Sequence, residues 1–215
     1  MSDVLNETLL DRAGALGAST LHEAAGRIGA LPSRIRPVDP RFRVCGPAYP
    51  LQGAAGDNLW LHRAVYAAPA GSVLVVSVNG GLEAGYWGEI LNEAARSRGL
   101  GGLVIDGGVR DAAALAAQDF PVFSARICMR GTVKNEGAIG WLGEPVRLGE
   151  VVVHPGDLVV GDLDGVVVIP SAAAAAAVAA GRDREADEIE KIRRIRAGER
   201  TLDLYGLGEA TLGPR

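Results

Sequence analysis

The sequence predicts a mixed α/β fold whose second half is rich in β-structure. Three observations carry this. Short Val/Ile/Leu runs end in glycine-containing turns, a strand–helix–strand succession fills residues 72–105, and Val-rich runs between Val146 and Ile169 are separated by turn sequences. With 215 residues, 48% hydrophobic and 22% charged, the chain can bury one sizeable core. Residues 1–170 read as a single α/β domain and residues 171–215 as a C-terminal helical arm.

In chain order, Glu7 to Gly26 has Leu/Ala spacing compatible with one or two helices, with Ser19 or Thr20 as a cap before Leu21. The proline-punctuated passage Pro32–Pro50 holds a strand at Phe42–Cys45 that enters a turn at Gly46-Pro47. Asn58–Tyr66 sets Leu59, Leu61, Val65 and Tyr66 in a helical pattern. The strand Ser72–Val78, a helix from about Gly88 to Ser97 and the strand Gly102–Ile105 then form a βαβ unit with parallel pairing. Asp106-Gly107-Gly108 reads as a turn, Asp111–Gln118 as a short helix and Pro121–Ser124 as a strand. From Val146 to Ile169, the turns His154–Asp157 and Asp162–Gly165 predict hairpins rather than another βα repeat.

Pro170-Ser171 opens an alanine-rich helix that Gly181 interrupts, and a charged helix follows to Ala197, stopped by Gly198. In the charged part Ala186, Ile189, Ile192 and Ile195 recur every third residue, while Asp187/Lys191 and Glu190/Arg194 are i,i+4 pairs on the wet side. Such an apolar stripe needs a partner surface. The tail Leu202–Leu207 is apolar enough to dock on the same or a neighbouring subunit.

Several function classes fall away. A net charge of -4 with scattered basic residues gives no attraction to nucleic acid. Two cysteines, Cys45 and Cys128, without CxxC or Cys/His spacing, predict neither a disulfide framework nor a thiolate zinc site, which suits a reducing cytoplasm. The N-terminus lacks a basic region followed by an apolar core, and the apolar run Ser171–Ala180 is too short to span a bilayer, so a soluble chain with no membrane partner is expected. Gly80, Gly81 and Gly85 do not make a dinucleotide fingerprint. His22, His62 and His154 are too dispersed for a ligand set, although His62 is placed to line a pocket or to pack.

The chemistry concentrates between Gly88 and Asp111. A helix starting near Gly88 presents unsatisfied N–H groups and a positive dipole end to a carboxylate, and glycine there permits close approach. Arg110 offers a permanently charged planar fork for a carboxylate or enolate oxygen. Asp111 can ligate a hard divalent cation, with Glu89 as a proton-transfer group. Each residue also has a plainer reading: Glu89 as a first-turn acid, Arg110–Asp111 as a surface ion pair, Asp111 as the cap of the next helix. Trp87 adjoins Gly88 and is expected to wall the pocket.

The segments GDNLWLH, PAGSVLVV, WGEILNEAARSRGLGGLVIDGGVRD, FPVFS, PVRLGEVVVHPGDLVVGDLDGVVVIP and LDLYGL resemble the class II pyruvate aldolases that act on 4-hydroxy-4-methyl-2-oxoglutarate and 4-carboxy-4-hydroxy-2-oxoadipate. The same superfamily contains the regulator of ribonuclease E activity A. The aldolase signature is an acid, twenty intervening residues and Arg-Asp; Glu89, residues 90–109 and Arg110-Asp111 reproduce it. Two departures are Glu89 where aspartate is usual and Tyr49-Pro50 where a threonine is common.

The resemblance implies a swivelling β/β/α domain with sheets flanked by helices, assembled as a trimer or hexamer. It implies a divalent metal, Mg or Mn, bound by Asp111, a pyruvyl group and its enolate held by Arg110, and Glu89 orienting a water on the metal. Backbone N–H groups of Ile90 and Leu91 receive the substrate carboxylate, and a C-terminal glutamate from a neighbouring subunit, Glu188 or Glu185, completes the site. The implied substrate is a small 2-oxo acid, cleaved by retro-aldol chemistry, with decarboxylation of oxaloacetate through the same enolate. No Schiff-base lysine is needed; only Lys134 and Lys191 exist, and Lys134 is the one able to approach the site. The alternative is a non-catalytic protein that binds and inhibits a ribonuclease.

Overall fold

The structure, a computed structural model, describes residues 5–209. The outer ends of the expected segments 1–170 and 171–215 therefore lie outside the described residues. Helices α1 (Glu7–Ala15) and α2 (Ala18–Ala24) open the chain. Asn6 caps α1 through its side chain, and the N-cap of α2 is Gly17, so Ser19 and Thr20 sit inside the helix rather than before it.

Strands β1 (Arg36–Pro37) and β2 (Val44–Gln52) follow, then α3 (Leu59–Ala67), β3 (Val73–Ser77), β4 (Gly85–Trp87), α4 (Glu89–Ser97) and β5 (Gly102–Val109). Next come α5 (Ala112–Ala117), β6 (Val122–Ile127), β7 (Trp141–Leu142), β8 (Val146–Leu148) and β9 (Val151–Val153). The chain ends with β10 (Leu158–Asp162), β11 (Gly165–Ile169), α6 (Ser171–Arg196) and α7 (Thr201–Leu204). Nine strands form one mixed sheet whose main order is β1-β6-β5-β3-β2-β10-β11, with β4 on β5 and β7 on β2. Strands β2, β3, β5 and β6 run parallel; β10, β11 and β1 extend them antiparallel. The sheet nearly closes, because Arg36 on β1 donates from Nη1 to the carbonyls of Leu163 and Asp164 in the β10–β11 turn.

The mixed α/β class, the parallel β3–α4–β5 unit and the β10–β11 hairpin at Asp162–Gly165 match expectation, whereas the turn at His154–Asp157 joins β9 to β10, which lie in different sheets and do not pair. Strand β3 is buried along its whole length, and its side chains alternate between two cores. Leu74 and Val76 meet Leu61, Val65, Leu91, Ala95 and Leu115 from α3, α4 and α5. Val73 and Val75 face the β8–β9 hairpin through Val146, Leu148 and Val153. A third core joins α1, α2 and the start of α6 to β10 and β11.

Three expectations need correction. Gly46-Pro47 is not a turn: β2 continues to Gln52, and Pro50 falls between the stretch paired with β10 and the stretch paired with β7. Asp106-Gly107-Gly108 lies inside β5, where the glycines let β4 approach: a Cβ at Gly107 would sit 2.9 Å from Val78 Cγ2, and one at Gly108 would overlap the Ala84 carbonyl. Gly181 does not interrupt α6, a single 26-residue helix. It lies against α1 and α2, where a Cβ would come within 2.9 Å of Leu16 Cδ1. Among the described residues no helix is long and apolar enough to cross a membrane.

Candidate active site

The site forms where β5 leaves the sheet beside the start of α4. The Arg110 N–H donates to Trp87 O at 2.8 Å, which ties the exit of β5 to the exit of β4. The next residue, Asp111, takes φ 58° and ψ 36°, a left-handed conformation that few non-glycine residues adopt. It stands at the N-cap position of α5 yet makes no side-chain cap there. Its carboxylate reaches across to α4 instead, where Oδ2 accepts the Glu89 N–H at 3.1 Å. The reading of Asp111 as the cap of its own helix is thereby replaced: it serves the neighbouring helix.

Gly88 is glycine because of this crossing. Its φ of -151° suits any residue, but a Cβ would overlap Asp111 Oδ2 and lie 3.1 Å from Arg110 Cγ and Nε. The Arg110 guanidinium, 46% exposed, holds its Nε 3.7 Å from Asp111 Oδ2, an ion pair too long for a hydrogen bond. Asp111 takes the Glu89 amide, and the first intrahelical bond runs from Asn92 N to Gly88 O at 3.0 Å. Helix geometry leaves the amides of Ile90 and Leu91 for a ligand.

Ile90 and Leu91 border a cavity of about 70 Å³, far below the roughly 300–1,000 Å³ of sites for drug-sized ligands. Gly88, Ile90 and Leu91 form one wall, Asn58, His62 and Tyr86 another, and Arg110 and Lys134 supply the charge. Tyr86 is fixed by its hydroxyl, which accepts the Gly56 N–H at 2.8 Å, and its carbonyl accepts Asn58 Nδ2 at 3.0 Å. Burial, and then the Lys134 ammonium, hold the His62 imidazole below its ordinary pKa. His62 is therefore neutral at physiological pH.

Asn58 is a site residue that sequence reasoning missed. It holds the N-cap position of α3 without capping, because Asp57 Oδ1 accepts the Leu59 N–H instead. Its buried Oδ1 has no partner among the described residues, a costly state unless a ligand or water donates to it. The signal was the Asp57-Asn58 pair at a helix start, with only one needed as a cap.

Gly88, Ile90, Leu91 and Arg110 thus converge on one cavity; Asp111, joined to Arg110 and to the Glu89 amide, is not among the residues that line it. Glu89 does not line it; its exposed residue borders an open cleft with Glu93 and Ser97 on the outer side of α4. Glu185 and Glu188 lie on the exposed half of α6 and do not line the cavity of their own chain. Glu188 Oε1 is 3.0 Å from Arg184 Nε, and Arg184 Nη2 is 3.1 Å from Glu23 on α2. Trp87 is not a pocket wall. It is fully buried, donates from Nε1 to Asn92 Oδ1 at 2.9 Å and stacks on Phe120, so it anchors α4 from beneath.

No group of three or more His, Cys, Asp or Glu side chains suited to a metal occurs among the described residues. Among the described residues there is therefore no thiolate or imidazole cage for zinc. Asp111, a carboxylate held off its own helix with its side chain 43% exposed, fits magnesium's habit of taking one or two protein carboxylates with water and substrate oxygens.

The sequence model of the RraA-like family, described as aldolase/RraA, matches residues 3–168. The chain belongs to the RraA-like family. A relative from Halalkalibacterium halodurans, named "Putative 4-hydroxy-4-methyl-2-oxoglutarate aldolase", is 34% identical over 175 residues, covering 81% of this chain and 82% of its own. Among solved RraA-like structures, Streptomyces coelicolor RraAS2, titled an unusual member of the RNase ES inhibitor RraA protein family, aligns with TM-score 0.75 and 29% identity over 89% of this chain and 98% of its own. The RNA-processing inhibitor RraA of Thermus thermophilis aligns with TM-score 0.64 and 27% identity, covering 71% and 92%.

Proposed function

We propose that this RraA-like protein is a divalent-metal-dependent lyase that cleaves 4-hydroxy-2-oxo dicarboxylates to pyruvate and a second oxo acid, and that it also decarboxylates oxaloacetate. One observation carries the reading: the left-handed Asp111 occupies the Glu89 amide, while Ile90, Leu91 and Arg110 line one small cavity beside it. A purely structural turn has no need of that arrangement. The name of the Halalkalibacterium halodurans relative supports the substrate class.

In this reading the Ile90 and Leu91 amides receive the substrate carboxylate at the positive end of α4. Arg110 binds the 2-oxo oxygen and stabilises the negative charge that grows there as the C3–C4 bond breaks. The electron pair of that bond passes to C3 and the 2-oxo group, giving the enolate of pyruvate. The C4 hydroxyl loses its proton to become the carbonyl of the second product, and C3 gains one; both protons pass through water, which Glu89, standing outside the cavity, orients. Magnesium or manganese, held by Asp111, supplies a Lewis-acid charge beside the 2-oxo group when bound. With oxaloacetate the same enolate forms by loss of carbon dioxide.

The protein in this reading is a cytoplasmic homo-oligomer, a trimer or hexamer. A neighbouring copy brings Glu188 or Glu185 to the site, and the exposed Ile189, Ile192 and Ile195 form the contact. A second reading, binding and inhibition of a ribonuclease without turnover, draws support from the titles of the Streptomyces and Thermus relatives. Coupled measurement of pyruvate release from several oxo acids, with and without chelator, separates the two. Asp111→Asn and Arg110→Ala are each expected to lower turnover by about 100-fold or more. Full activity in chelator, or in either variant, removes the lyase reading as stated.

A further inference from the structure

A larger cavity lies at the seam where the sheet nearly closes, and it shares no lining residue with the one beside α4. It measures about 240 Å³, against about 70 Å³ for the other. Its floor is apolar, made by the buried Leu31 and Val166. Its polar groups are Ser19 and His22 on α2, Ser33 in the loop before β1, and Asp164 in the β10–β11 turn. No lysine or arginine is among the described residues that line it.

The walls are bonded to one another. Buried Asp162 ties two of them together: its Oδ2 accepts the Ala18 N–H at the start of α2, and its Oδ1 accepts the Asp164 N–H, each at 2.9 Å. Arg36 Nη1 holds the same turn through the carbonyls of Leu163 and Asp164. The third wall lies along β11, where Leu31 donates to Val166 O at 2.9 Å and Val168 donates to Gly29 O at 2.8 Å. Walls already fixed in this way lose little freedom when a ligand enters.

The side chains that line the cavity are not used up by the fold. Among the described residues the Asp164 carboxylate makes neither an ion pair nor a hydrogen bond, since its turn uses only the N–H and the carbonyl. His22 donates from Nδ1 to Ile28 O at 2.9 Å, which fixes the ring and, in its neutral form, leaves Nε2 as an acceptor. Ser19, three residues before His22, stands on the same face of α2. The neighbouring cations are engaged elsewhere: Arg34 pairs with Asp106 through bonds of 2.7 and 2.6 Å, and Arg36 is taken by the two carbonyls. The lining therefore presents one negative charge and several acceptors above an apolar floor.

We propose that this cavity is a second binding site, one for a small organic ammonium with an apolar body. The ammonium donates to the Asp164 carboxylate and to His22 Nε2, and the body lies on Leu31 and Val166. Ser19 and Ser33 add hydroxyl contacts at the rim. A carboxylate finds no cation here and meets the charge of Asp164, so the site takes a ligand of the opposite sign to the oxo acids of the lyase reading and does not depend on that reading.

Benzylamine is the probe, with benzyl alcohol and benzoate as controls of similar shape and different charge. Each is titrated into the full chain while the imidazole C–H signals are followed by NMR, the His22 signal being the one retained in the His62→Gln/His154→Gln variant. Benzylamine is expected to shift that signal with a Kd of about 1 mM, the order that a ligand of this size reaches. Benzyl alcohol is expected to bind about 3- to 10-fold more weakly and benzoate more weakly again. Asp164→Asn is expected to weaken benzylamine by the same factor of about 3 to 10, with a thermal midpoint close to wild type because the residue is exposed. A His22 signal unmoved by benzylamine at roughly ten times that Kd overturns the site. Benzyl alcohol or benzoate binding to the wild type as tightly as benzylamine overturns the ammonium class without recourse to any variant at the site. Unchanged benzylamine binding in Asp164→Asn overturns the role of the carboxylate.

Discussion

At Gly88 the missing side chain matters more than backbone freedom. Gly88→Ala places a methyl group where Asp111 Oδ2 now sits and against Arg110, so both side chains must move. A displacement on the order of 1 Å at such a site costs roughly 100-fold in rate, whereas the fold has only a local overlap to absorb. The expected outcome is a strong loss of pyruvate release with a thermal midpoint close to wild type; retained turnover would show that Asp111 need not stand where it does. His62 gives a pH test. Its pKa is held below the ordinary 6.5 by burial and by Lys134, so the folded chain binds fewer protons at this ring than the unfolded chain. Its stabilising contribution is therefore present above about pH 6.5 and is lost as pH falls through the lower folded value. Thermal midpoints recorded from pH 7.5 down to pH 5, conditions bracketing the usual histidine range of about 6.5, should drop less in His62→Gln than in the wild type; an identical drop would assign the acid sensitivity elsewhere.

Among the elements, α6 and the loop following β6 show why local signals ran out. Gly181 looks like a helix breaker in sequence, yet its role is to let α6 lie against Leu16 and Leu21. Gly181→Leu is expected to overpack that contact, at a cost of about 1–3 kcal/mol, read as a thermal midpoint lower by several degrees. No change would mean that α6 moves freely over α1 and α2. Strand β4 was not anticipated, because three residues, Gly85-Tyr86-Trp87, are too few to show an alternating pattern. The glycines of Asp106-Gly107-Gly108 misled for the same reason: their purpose is the close approach of β4, a partner invisible in a local window. By contrast α4 was legible, with an acid at its first position, apolar Leu91 and Ala95 on one face and Arg96 in the last turn.

For the whole molecule, the nearly closed sheet takes up the apolar faces of α1 to α5 and of the first half of α6, and leaves the second half of α6 bare. Ile189, Ile192 and Ile195 are 66%, 47% and 40% exposed, with Tyr205 and Leu207 exposed nearby. Such a surface on an arm beyond the core is suited to a copy of the same chain. Light scattering is expected to give a trimer or hexamer, and Ile192→Glu to shift it toward smaller species with activity falling in step. A wild-type monomer with full activity would rule out a site shared between subunits.

Periodicity was enough to give the α/β class and the parallel unit around α4, because it survives in one dimension; Gly88, Glu89, Arg110 and Asp111 were singled out by residue chemistry beside a helix start and by the interval that the resemblance supplies, and of these Gly88 and Arg110 line the cavity. Asn58, the Lys134 loop tied to Asp57 through the Asn135 N–H and the crossing of Asp111 to the neighbouring helix emerged in three dimensions. Each depends on contacts between segments more than twenty residues apart in sequence, or on a left-handed backbone conformation that no residue type announces. Glu89 lies on the outer side of α4, so the acid that is most conspicuous in the sequence does not line the cavity.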